Sequence, residues 1–136
     1  PLILFLIWLV SVHGKNGGGA ARIAPNKKMN FQKELNEIIS IIKEINPELI
    51  FLFGSCASGS QDAQSDIDLI IVAPSNERPL ERRMALRRML VEYDRRIGLD
   101  LLVYTPDEFN MLAKEPSSFI SFAIKSGVKI YDRQAS

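Results

Sequence analysis

Three short and almost wholly apolar runs, Leu49–Phe53, Ile67–Val72 and Leu99–Tyr104, constrain this chain more than any other feature. Each has the length and the Leu, Ile, Val and Phe content of a strand, and each is bounded by glycine, proline or acidic residues. The segments between them carry helical spacing. Phe31–Ile45 places Leu35, Ile38, Ile39, Ile42 and Ile45 three and four residues apart, and Pro47 marks its end. Leu80–Arg96 predicts one helix with Leu80, Met84, Leu86, Leu90 and Val91 as its apolar stripe, stopped by Gly98. The pairs Arg82/Arg83, Arg87/Arg88 and Arg95/Arg96 then read as a solvated face, with a partner contact as the alternative.

Further along, Thr105-Pro106-Asp107-Glu108 combines a cap residue, a proline at the first helical position and an acid three residues after the cap, so a helix should begin there. Pro116 and Gly127 bracket another helix containing Phe119, Phe122, Ala123 and Ile124, and Val128–Tyr131 supplies a short final strand. This alternation predicts an α/β (α+β) domain, a small sheet covered by helices.

Residues 1–28 differ from the rest. Pro1–Val12 is continuously apolar but too short for the ~20 residues of a membrane-spanning helix, and GKNGGGA after it reads as a linker. The segment is expected to be a mis-set start outside the domain; an export or anchor segment and an extra core element are the alternatives. Met29 is taken as the start of a domain covering 29–136, with Asn30 as a helix cap.

The same division changes the charge. Of 17 Lys and Arg, four lie in residues 1–28 with no acid, so 13 bases face 16 acids from Met29 onward, a net −3. That balance gives no case for direct nucleic-acid binding. One cysteine, Cys56, and one histidine, His13, leave neither a disulfide nor the usual zinc ligands.

Chemistry is concentrated in three acids. Asp66 and Asp68 are two apart, which on a strand places both on one face, and Asp100 begins the next apolar run. Converging carboxylates repel unless protonated or bound to cations, and an all-oxygen site suits Mg²⁺ or Mn²⁺. Taken alone, D-x-D is more often a turn or strand cap. Upstream, Gly54-Ser55 follows a strand, where glycine allows close approach and backbone N–H groups at a helix start can hold a phosphate. A phosphate cradle beside an acidic site implies nucleotide chemistry.

Gly54-Ser55, ten intervening residues, then Asp66-Ile67-Asp68 within Ser65–Leu69, followed by Asp100 within Leu99–Val103, together resemble the minimal nucleotidyltransferase domain of the DNA polymerase beta-like superfamily. The likeness runs from about Met29 to Tyr131. It implies a small mixed sheet flanked by helices, with Gly54, Ser55, Gly59 and Ser65 toward the nucleotide triphosphate. By the same resemblance Asp66 and Asp68 hold metal and Asp100 is the third carboxylate. The implied reaction moves AMP from ATP to a hydroxyl with Mg²⁺ or Mn²⁺ in a cytoplasmic setting, without a membrane. One departure is Ser58, where such domains often carry an arginine before the second glycine.

Similar minimal domains often act as antitoxins that bind an all-helical HEPN protein and in some systems adenylylate its tyrosine. A HEPN-type partner is therefore expected, and a homo-oligomer is compatible with the apolar helices. The alternatives are a non-catalytic antitoxin or regulatory protein, and a transferase for a small-molecule hydroxyl.

Overall fold

The computed structural model describes residues 26–54 and 66–135. Helix α1 covers Asn26–Ile42 and tightens into a 3₁₀ turn at Lys43–Ile45. Asn46 then takes a left-handed conformation, φ 58°, and returns its N–H to Lys43 O at 3.0 Å. Asparagine tolerates that conformation, and Pro47 prevents the helix from resuming. The helix begins ahead of Met29, so Asn30 lies inside it instead of capping it.

The strands are β1 (Leu49–Phe53), β2 (Ile67–Val72), β3 (Leu99–Tyr104) and β4 (Val128–Asp132), in the order β3-β2-β1-β4. The β1–β2 and β1–β4 pairs are antiparallel and β2–β3 is parallel, so the sheet is mixed. Pairing of β1 with β4 shifts between Ile50 and Phe51, leaving Ile130 as a bulge. A parallel neighbour needs a long crossover. Here it is α2 (Pro79–Met89) and α3 (Val91–Arg96).

This crossover departs from the single helix expected over Leu80–Arg96. Leu90 leaves helical dihedrals (φ −110°, ψ 18°), and its N–H is shared between Leu86 O and Arg87 O. Leu86 and Leu90 are buried, whereas Leu80, Met84 and Val91 face outward. The expected apolar stripe is thus split between two sides of the crossover. Arg82, expected on a solvated face, is buried.

After β3 come α4 (Pro106–Ala113) and α5 (Phe119–Ser126). The expected start of α4 is present in full. Thr105 Oγ1 accepts from Glu108 N–H at 3.2 Å, and the Glu108 carboxylate accepts from Thr105 N–H at 3.0 Å. At α5 the cap is Ser118, whose Oγ accepts from Ser121 N–H.

Alternation along the strands gives the sheet two buried faces. Leu35, Ile38 and Ile42 of α1, with Leu86 and Leu90, pack on Ile50, Leu52, Ile67, Leu69, Ile71, Leu99, Leu101 and Val103. On the opposite face Phe109 of α4 and Phe119, Ile120 and Ala123 of α5 pack on Phe51, Phe53, Ile70, Val72 and Tyr104. Phe51 stacks on Phe109 at 5.9 Å between centroids, and Phe53 meets Phe119 edge-on at 5.6 Å. Fully buried side chains such as Ile38 and Ile71 each contribute roughly 2 kcal/mol of hydrophobic stabilisation. Among the described residues, no helix is long and apolar enough to cross a membrane.

Candidate active site

The second face is apolar in every row but one. Register places Tyr104, Val72 and Leu49 in one cross-strand row and Leu102, Ile70 and Phe51 in the next. The last complete row, where β2 and β3 begin and β1 ends, is Asp100, Asp68 and Phe53. Asp100 therefore stands directly opposite Asp68 on the adjacent parallel strand, about 4.8 Å away along the sheet. Asp68 is 2% exposed. Two acids so placed on neighbouring strands bring their carboxyl groups to one edge of the sheet.

Asp66 lies just before β2, one level beyond that row. Its level partner is Gly98, whose carbonyl accepts from Ile67 N–H at 3.0 Å. Gly98 has φ 84°, and a Cβ there would fall 2.4 Å from Asp66 Oδ1. Gly54, at φ 79°, stands in the same relation to Asp68, where a Cβ would fall 2.4 Å from Oδ2. Both glycines supply a backbone turn that other residues resist, and both let a carboxylate close over bare backbone. The Asp66 carboxylate thus leans toward β3 and that of Asp68 toward β1. The other residues predicted for nucleotide contact, Ser55, Gly59 and Ser65, lie outside the described residues.

The start of β3 is held by a residue the sequence reading missed. Asp94 accepts from Leu99 N–H through Oδ1 at 2.8 Å and from Gly98 N–H through its carbonyl at 3.0 Å. Arg87 holds the other carboxylate oxygen at 2.9 Å. Asp94 so fixes the backbone one residue before Asp100. Its signal in the sequence is an acid four residues before a helix-stopping glycine, which is too common to single out.

The donor set is hard oxygen, which suits Mg²⁺ or Mn²⁺ and not a softer metal. Among the described residues, no three His, Cys, Asp or Glu side chains form a ready metal cage. Mg²⁺ at phosphate sites is ordinarily held by one or two carboxylates together with substrate phosphates. In chemistry, though not by any cluster among the described residues, Asp66, Asp68 and Asp100 suit a divalent ion carried in with a triphosphate.

A profile of the polymerase beta nucleotidyltransferase family matches residues 36–136. The chain belongs to this nucleotidyltransferase family. It is 31% identical over 106 residues to a candidate protein adenylyltransferase of Methanocaldococcus jannaschii, an alignment covering 75% of this chain and 64% of that relative's length. In fold it is similar to the crystal structure of a candidate nucleotidyltransferase from Sulfolobus solfataricus, with TM-score 0.55, 21% identity and coverage of 87% of this chain and 95% of the other. It is also similar to a toxin–antitoxin crystal structure with AMP-PNP, at TM-score 0.52, 22% identity and 74% coverage of each chain.

In this nucleotidyltransferase the opposite end of β3 is tied by a second charged group. Buried Arg82 donates through Nη1 and Nη2 to the two carboxylate oxygens of Glu108, at 2.7 and 2.8 Å. It also donates to Val103 O at 2.9 Å and, through Nε, to Glu77 O at 3.0 Å. One guanidinium so joins α2, β3 and α4. Hydrogen bonding from Arg82, ahead of the Thr105 cap, holds the Glu108 carboxyl below its ordinary range against the opposing effect of burial. Close by, burial first and Glu108 second push the Tyr104 hydroxyl up to about 12. That hydroxyl is buried without a hydrogen-bond partner among the described residues. These groups border an apolar groove of about 290 Å³ between Pro79, Leu80, Leu102 and Leu112.

Proposed function

We propose that this chain transfers AMP from ATP to a hydroxyl on a second protein, a tyrosine of an all-helical HEPN-type partner. Family membership supports nucleotidyl transfer in general. The observation that carries the reading to these residues is the buried Asp68 set opposite Asp100, beside glycines at 54 and 98 that make room for carboxylates.

In this reading Asp66 and Asp68 hold Mg²⁺ or Mn²⁺ with the triphosphate. Asp100 faces the acceptor side, where it orients the attacking hydroxyl and accepts its proton. Gly54, Ser55, Gly59 and Ser65 contact the phosphates through backbone N–H groups and hydroxyls. The divalent ion, when bound, supplies charge neutralisation and lowers the cost of deprotonating the hydroxyl. The acceptor oxygen bonds to the α-phosphorus, the bond to the bridging oxygen breaks, and pyrophosphate leaves. The nucleotidyltransferase acts in the cytoplasm, where ATP and these ions are plentiful.

The test incubates the full chain with ATP labelled in its α-phosphate, Mg²⁺ or Mn²⁺, and the HEPN-type protein encoded beside it. Label is expected on a tyrosine of the partner. Asp66→Asn/Asp68→Asn should lose about a thousandfold in rate or more while its circular dichroism is unchanged. No label at high ATP with either ion sinks the transferase reading for that acceptor; a complex that forms without transfer favours the binding-only antitoxin.

A further inference from the structure

The outward side of the α2–α3 crossover is more apolar than the fold requires. Leu86 and Leu90 already fill the core from this crossover, yet Leu80, Met84 and Val91 stand 63%, 48% and 42% exposed. They line one groove of about 610 Å³ together with Arg83, Arg87, Arg88 and Asp94. Leu80 and Met84 are four residues apart on α2, the spacing with which one helix receives another along a seam, and Val91 continues the groove past the bend at Leu90. Scattered apolar side chains need no explanation, but a continuous grooved stripe does.

Charge decides what fits the groove. Arg87 is matched by Asp94 at 2.9 Å. Arg83 and Arg88 have no carboxylate partner among the described residues, so the rim keeps an unmatched positive charge on both sides of Met84. A second copy docked here about a two-fold axis would set these arginines against their own kind, which opposes a homodimer through this face. A bilayer would also be drawn to basic and apolar residues, but a flat surface leaves a groove unfilled. Arginine forks pair best with carboxylates.

We propose that the α2–α3 face docks an amphipathic helix of a partner protein, with its apolar stripe on Leu80, Met84 and Val91 and its acidic flanks on Arg83 and Arg88. The proposal rests on the reading that the acceptor is carried by a second protein, and it names the surface that would hold that protein.

The probe is a fluorescent designed peptide of about eighteen residues, matching the length of α2 and α3 together, with leucines at alternating four and three spacing and glutamates on either side. Anisotropy with the full chain should show saturable binding that weakens as salt rises. Met84→Glu, and separately Arg83→Glu/Arg88→Glu, should each weaken it by about tenfold or more without changing circular dichroism. A peptide with lysine in place of glutamate should bind at least about tenfold less tightly. Asp66→Asn/Asp68→Asn should bind the glutamate peptide as the unchanged chain does, so a failed transfer reaction leaves this measurement standing.

Several results overturn the proposal: no saturable binding, equal binding of the lysine peptide, or indifference to Met84→Glu. Two occupants other than a helix would also do so, namely a dimer or adhesion to phosphatidylcholine–phosphatidylglycerol vesicles that Met84→Glu abolishes. If labelled AMP still reaches the partner with unchanged KM in Met84→Glu, the docking face is wrong and the transferase reading survives.

Discussion

Acids stand at both ends of β3, and the two ends treat them in opposite ways. Just beyond the C-terminal end, Glu108 is met by both arms of the buried Arg82 guanidinium, and the same arginine ties down Val103 and Glu77. At the N-terminal end, Asp100 stands opposite Asp68, acid against acid, with Asp66 one level beyond. The first arrangement neutralises charge inside the protein and holds three elements together. The second gathers acids side by side at the sheet edge where β1 ends and β2 and β3 begin.

Removing charge should cost stability at one end and activity at the other. Arg82→Leu leaves the Glu108 carboxylate and the Val103 carbonyl without their shared donor. The cost should be about 2–3 kcal/mol, below the full value for a buried pair because the Glu108 side chain is 40% exposed. Urea unfolding measures it. A loss under about 0.5 kcal/mol, the range of an ordinary surface change, would show that the arginine is not the tie described here.

At the other end, Asp100→Asn removes one of the two acids that face each other across β2 and β3. The same change should abolish AMP transfer and weaken the protection that ATP with Mn²⁺ gives against heating. A variant that is both less stable and fully active would break the comparison, since Asp100 would then be a structural acid like Glu108.

The difference between the two ends also explains what could be read before the fold was known. The helix start at Thr105, Pro106 and Glu108 is a local arrangement four residues long, and it is present as expected. The three apolar strands are equally local, and Leu49–Phe53, Ile67–Val72 and Leu99–Tyr104 are strands to the residue. Burial of Arg82 was not legible, because its carboxylate partner lies 26 residues further along and only the packed sheet brings them together. The same holds for Asp68 and Asp100. Spacing placed Asp66 and Asp68 on one face, but which residue of β3 would stand opposite them is a matter of register, and register is set by the whole core. The bend at Leu90 was missed for a related reason: apolar residues at helical spacing continue through it, and only the demands of two separate packing surfaces divide them.

The smallest effect sharpens the comparison through pH. Hydrogen bonding from Arg82 holds the folded-state pKa of Glu108 below its ordinary 4.5. A depressed carboxyl binds its proton more readily in the unfolded chain than in the folded one. Its contribution is therefore complete above the ordinary value and fades as pH falls through the lower folded one. Arginine stays charged throughout, so the whole change belongs to Glu108. Relative to Glu108→Gln, the unchanged chain should be more stable near neutrality by about 1 kcal/mol or less after solvent screening, and the gap should close as the pH is taken below 4.5. Urea midpoints of both proteins across that range test the sign. A gap that widens in acid would mean that Glu108 is protonated more easily in the folded protein, and the carboxylate would then belong with the crowded acids at the other end of the strand instead of with its arginine.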